Sequence, residues 1–91
     1  MKAEIGKRYR HYKNHKEYTV LHIGRLESES HIECVIYRSE HKTEFGDNQI
    51  WIRPRDSFEG EVEQNGTIIP RFVCCDLPTV NEEANKEDEG K

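Results

Sequence analysis

The side chains best suited to chemistry lie in two short blocks that alternate aromatic or apolar with basic residues, Tyr9-Arg10-His11-Tyr12-Lys13 and Ile50-Trp51-Ile52-Arg53-Pro54. Successive side chains of a strand point to opposite faces, so Tyr9, His11 and Lys13 share one face while Arg10 and Tyr12 share the other. Two arrangements are open. With Tyr12 inward, Arg10 lies on the same face near a barrel end; with Tyr9 and His11 inward, Arg10 and Tyr12 are presented to solvent. In the second block, burying Ile50 and Ile52 is the cheaper choice, which would set the only tryptophan beside Arg53 on the other face. Arg38, after Tyr37, and Arg71, after Pro70, add further strand-end arginines. An arginine fork can hold a carboxylate or phosphate through two parallel bonds, and it can equally tie loops through backbone carbonyls. Arg10, His11, Tyr12, Lys13, Arg38, Trp51, Arg53 and Arg71 therefore form the candidate ligand-binding set. The competing role for the same residues is structural, with the rings padding a small core and the charged stems covering its rim.

Other chemistries find little footing. No serine sits in a G-x-S-x-G turn, and no glycine-rich phosphate loop is present. Cys34, Cys74 and Cys75 are an odd number, two of them adjacent, without the paired C-x-x-C spacing that tetrahedral zinc prefers. His31-Ile32-Glu33 matches the H-x-E half of the zinc deaminases, but the P-C-x-x-C half is missing. Glu27, Glu29 and Glu33 fall in a polar segment and are expected to face water. The expectation is a non-catalytic protein with three reduced thiols, no metal and no cofactor.

The elements that must position the candidate residues are strands. The chain has 91 residues, 33% hydrophobic and 35% charged, which allows one small domain. No segment keeps a helical apolar period for three turns, whereas β-branched and aromatic runs recur between turn signals. Strands are expected over 9–13, 18–25, 32–38 and 50–53, the last stopped by Pro54 because proline cannot donate to a sheet ladder. Asn14-His15 supplies a tight turn, with Asn as the residue tolerant of left-handed backbone. Residues 39–49 read as an exposed loop. Residues 55–59 suit a single helical turn that Asp56 or Ser57 can cap, with Phe58 sealing a barrel end. Asn65-Gly66 between 62–64 and 67–69 is the pair a type I′ hairpin requires, and it sets Val62 opposite Ile69 and Glu63 opposite Ile68. A last strand covers 71–75. The fold class that follows is mainly β, a small partly open antiparallel barrel, SH3-like, with one short helical turn; a roll or small sandwich is the alternative.

Charge divides unevenly along the chain. The formal net charge is −4, yet residues 1–16 carry Lys2, Lys7, Arg8, Arg10, Lys13 and Lys16 against Glu4 alone. Residues 81–91 hold Glu82, Glu83, Glu87, Asp88 and Glu89 against Lys86 and Lys91, and Ala84 is their one apolar residue. A domain over 1–80 with a disordered acidic tail over 81–91 is expected. No run approaches the roughly 18 apolar residues of a membrane span, and no secretory signal opens the sequence, so a monomeric cytoplasmic protein is expected. A basic segment of this kind marks an anionic partner, or a solvated face balanced by the domain's own carboxylates.

Four ordered blocks resemble the mainly bacterial family known as domain of unknown function 1653. Gly6-Lys7-Arg8-Tyr9-Arg10-His11-Tyr12-Lys13 is similar to its G-x-Y-R-H-Y-K block with one residue added, and Val35-Ile36-Tyr37-Arg38 to its V-V-Y-R block. Trp51-Ile52-Arg53-Pro54 with Phe58 resembles W-V-R-P and its following Phe, and Asn65-Gly66 with Pro70-Arg71-Phe72 resembles the closing turn and P-R-F. The likeness spans about residues 6–73. Leu26 stands where the family usually has a histidine, so no role of that histidine carries over. The resemblance implies a compact β domain and names no ligand. Three functions stay open: a non-catalytic module that binds nucleic acid or an acidic protein segment through a basic and aromatic groove; a small enzyme or anionic-metabolite binder using His11 beside Arg10 and Arg53; and a structural interaction domain.

Overall fold

The computed structural model describes residues 2–75, so the expected tail over 81–91 and the last residues of the expected domain lie outside it. The chain runs β1 (Arg8–His11), β2 (Glu17–Leu26), β3 (Glu29–Ser39), β4 (Lys42–Thr43), β5 (Gly46–Asp47), β6 (Ile50–Pro54), α1 (Arg55–Glu59), β7 (Glu61–Gln64), β8 (Thr67–Pro70) and β9 (Phe72–Cys74). Five strands form one antiparallel sheet in the order β6-β3-β2-β1-β9, which is not closed and is compatible with a small partly open barrel. β7 and β8 form a separate hairpin in the expected register, Val62 opposite Ile69 and Glu63 opposite Ile68. Asn65 and Gly66 both take positive φ, 54° and 80°, as a type I′ turn demands. Among the described residues no helix is long and apolar enough to cross a membrane.

The core lies on the inner face of the curled sheet. Tyr9, Tyr18, Val20, Val35, Tyr37, Phe58 and Phe72 are buried together there. Alternation alone would send later β2 residues to the wrong side. A bulge between Val20 and His22 leaves Leu21 without a partner and shifts the parity, so that Val20 and then Ile23 both lie opposite inward residues of β3. Rings supply most of the cohesion. Phe58 stacks on Phe72 at 4.0 Å and 11°, and Tyr9, Tyr18 and Tyr37 meet this pair or one another edge to face.

Several local expectations are corrected. Ile50 and Ile52 are 45% and 67% exposed, and it is Trp51 and Arg53 that face inward. The partner strand decides this: Trp51 lies opposite Tyr37, which is buried on the inner face, and an indole has far more surface to hide than one isoleucine. Neither Asp56 nor Ser57 caps α1: the helix starts from Pro54 with no side-chain cap, so both lie inside it, and the Ser57 hydroxyl instead accepts from Arg53. Residues 39–49 are not wholly irregular, since β4 and β5 pair within them. At the first turn it is His15 that adopts φ 60°, while Asn14 accepts the Lys16 N–H through its side chain at 2.8 Å. Glu33 is only partly solvated, being paired with both Arg25 and Arg55.

A candidate oxyanion cleft at the open seam

The two edge strands of the open sheet, β6 and β9, face each other across the core. Arg53 from β6 reaches over the Phe72 ring of β9, with its guanidinium carbon 5.6 Å from the ring centre. A cleft of about 230 Å³ opens beside this contact, lined by His11, Asn14, Tyr18, Tyr37, Trp51, Arg53 and Phe72. Strand register brings these residues together: His11 is opposite Phe72, and Trp51 is opposite Tyr37.

α1 fixes the arginines. Arg53 donates from Nη1 to Ser57 Oγ at 3.1 Å and from Nε to the Tyr37 hydroxyl at 3.3 Å. Arg71 donates from Nε to the Ser57 carbonyl at 3.0 Å, and its own amide donates to the Gly60 carbonyl. Gly60 permits this compact turn: a Cβ there would come within 2.8 Å of the Asp56 carbonyl oxygen. Both guanidiniums keep further N–H groups unengaged, and neither pairs with a carboxylate among the described residues.

The remaining polar groups of the cleft are also set to donate. Lys13 N–H donates to His11 Nδ1 at 3.1 Å, so the neutral imidazole carries its proton on Nε2. Burial holds the His11 pKa below its ordinary value, and the positive charges of Arg53, Arg71 and Lys13 push it further the same way. Tyr37 OH accepts from Arg53 and Tyr18 OH accepts from Asn14 Nδ2 at 3.2 Å, which leaves each hydroxyl proton available. The concavity is therefore lined by donors and aromatic faces, without a carboxylate.

Not every expected residue falls here. His11, Trp51 and Arg53 line the cleft, while Arg71 and Lys13 act on His11 from beside it. Tyr12 lies against His11, ring centres 5.0 Å apart, and donates its amide to the Arg71 carbonyl. Arg10 and Arg38 sit on the opposite face of the sheet, where they pair with Glu17 and Glu40. Strand parity forces this separation, because Tyr9, His11, Tyr37 and Ser39 occupy the inward positions. Asn14, Tyr18, Tyr37, Phe72 and Ser57 were missed as site residues. Tyr37 and Phe72 stand inside sequence blocks already singled out, but Asn14, Tyr18 and Ser57 carry no local signal of their own.

A second, larger concavity of about 1100 Å³ lies near α1 and β3, and both of its arginines are already paired. Arg55 pairs with Glu33 and Glu59, and Arg25 pairs with Glu33. Glu59 also accepts the Ala3 amide at 2.8 Å. Burial would raise the Glu59 pKa, but Arg55 and the Ala3 amide outweigh it and hold the carboxylate below its usual range. This is a tie between the N-terminal arm, α1 and β3.

What fold and site define is a small, open antiparallel β domain with a donor-lined cleft at its seam. The family model described as "Protein of unknown function (DUF1653)" matches residues 7–74, and the chain belongs to that family. No curated protein and no solved structure matches it.

Proposed function

We propose that this domain is a non-catalytic binding module that captures an oxyanion in the seam cleft. One observation carries the reading: the cleft offers N–H and O–H donors and no carboxylate, and Arg53 within it and Arg71 beside it lack carboxylate partners among the described residues. A phosphate or carboxylate would supply acceptors to the free N–H groups of Arg53 and Arg71, with His11 Nε2–H and the tyrosine hydroxyls nearby. The aromatic walls do not make a cage for a cation, because fixed positive charge already surrounds them. At about 230 Å³ the cleft is smaller than the roughly 300 Å³ where drug-sized sites begin, so it takes one end group or one repeating unit.

His11 supports binding over catalysis. With Nδ1 accepting a backbone amide and Nε2 protonated, neither nitrogen is available as a general base. An SH3-like barrel acting as a cytoplasmic monomer belongs to the same reading.

The single tryptophan provides the test. Pyrophosphate added at low salt should change Trp51 emission saturably. Arg53→Ala should weaken that titration at least about tenfold, in line with a charged hydrogen bond worth roughly 1.5–3 kcal/mol. Arg53→Lys keeps the charge and loses the fork, so it should also bind less well than the parent. A flat Trp51 signal with an intact fold would reject the oxyanion reading.

A further inference from the structure

Phe45 is 65% exposed, yet its position is built rather than loose. It occupies the turn between β4 and β5, where the Thr43 hydroxyl accepts the Phe45 amide at 3.1 Å and donates to the Gly46 carbonyl at 2.9 Å. Gly46 completes the turn at φ 117°, a conformation that L side chains rarely adopt. The Phe45 ring meets Trp51 edge to face, 5.8 Å between centres and 73° between planes. Since Trp51 is itself a wall of the cleft, the exposed ring extends the aromatic lining outward from the donors.

We propose that the cleft and Phe45 together bind single-stranded nucleic acid, a backbone phosphate taking the free donors of Arg53 and Arg71 while a neighbouring base stacks on Phe45. This rests on the oxyanion reading of the cleft. An acidic protein segment would use the guanidiniums but has no need of a presented ring. A nucleotide carries an oxyanion and a planar π-face in every repeat, and stacking on an aromatic side chain tolerates any base. A duplex is disfavoured because the cleft is too small for a double helix and stacked pairs hide their faces. Lys13 and Lys16 are exposed at the β1–β2 turn beside His11 and have no carboxylate partner among the described residues, so they can attract flanking phosphates. The chain's net charge of −4 does not oppose this, because the attraction is set by local potential.

The test uses the full chain, a fluorescein-labelled oligothymidylate followed by anisotropy, a polyglutamate competitor, and pyrophosphate followed by Trp51 emission. Phe45→Ala should weaken oligothymidylate binding roughly five- to 150-fold, as expected for one lost stack, and leave both pyrophosphate binding and the melting temperature unchanged. Phe45→Tyr should restore the affinity. The logarithm of affinity should fall against that of salt with a slope near −0.7 for each phosphate contact, and Arg53→Ala should remove about one contact from it. Unchanged oligothymidylate affinity in Phe45→Ala overturns the proposal. So does polyglutamate that binds in place of the oligonucleotide, which would assign the cleft to acidic proteins. Pyrophosphate binding without oligonucleotide binding overturns this inference alone, whereas failure of both overturns the oxyanion reading as well.

Discussion

Arginines on the two faces of the sheet have opposite fates. On the outer face, Arg8 and Arg10 share Glu17, and Arg38 pairs with Glu40, whose carboxylate is also hydrogen-bonded by the Thr19 hydroxyl. That hydroxyl is the main reason the Glu40 pKa lies below its usual range, with Arg38 and Arg8 adding to the effect. On the inner face, Arg53 and Arg71 are held by a serine hydroxyl, a phenol and a backbone carbonyl, all neutral. Neutral acceptors fix the geometry of a guanidinium and leave its charge uncompensated. The number of arginines thus says little about a binding site; what matters is whether the groups that orient them also cancel them.

The difference between the faces can be broken most severely at its base. Phe72 is the floor under Arg53 and stacks on Phe58, so Phe72→Ala should cost about 3–5 kcal/mol in urea unfolding. A loss below about 1 kcal/mol would show that the seam is not part of the core. Next in size is a change remote from both faces. Gly66 has open space around its Cβ position but φ 80°, so Gly66→Val acts through backbone strain and should cost roughly 1–3 kcal/mol. At temperatures where the variant is folded, its pyrophosphate titration should match the parent's; a changed titration would tie the β7–β8 hairpin to the cleft.

How much of this was legible in the sequence follows from the range of the forces involved. Asn65-Gly66 dictates its turn locally, and the hairpin register came out as expected. The sheet was legible because strand periodicity is local too. Which face of β6 turns inward was not: apolar character alone favoured burying Ile50 and Ile52, and only the pairing of Trp51 with Tyr37 reverses that choice. The bulge at Leu21 was invisible for the same reason: its evidence lies in the register with β3. Of the site, the arginine and aromatic types were readable, but their division between faces depended on the inward placement of Tyr9 and His11, one of two arrangements the first block allowed. Ser57, which orients Arg53 in the cleft and Arg71 beside it, looked like a helix cap.

A smaller effect separates the arginines by stability alone. Arg38→Ala should change the unfolding free energy by no more than about 0.5 kcal/mol, as is usual for exposed ion pairs, and leave pyrophosphate binding intact. A substantial loss of pyrophosphate affinity in this variant would mean that the outer face, and not the seam, attracts the anion.

The smallest and most local effect is the titration of His11. Burial first, then Arg53, Arg71 and Lys13, lower its pKa from an ordinary value of 6.5. The unfolded chain consequently binds the His11 proton at a higher pH than the folded one. Stability is therefore fully present above about pH 6.5 and is lost as pH falls from there through the folded-state pKa, below which the loss is complete. Arg53→Ala removes one repelling cation and should move the His11 midpoint upward, narrowing that window. A bound oxyanion should move it upward as well, by offsetting the same positive charge, so pyrophosphate binding should take up protons and tighten as pH falls across the window. The His11 ring resonances followed by NMR against pH, with and without pyrophosphate, measure both shifts directly. A midpoint indifferent to Arg53→Ala and to pyrophosphate would mean that the cleft's positive charge does not reach the imidazole, and the contrast between the two faces would then lose its electrostatic basis.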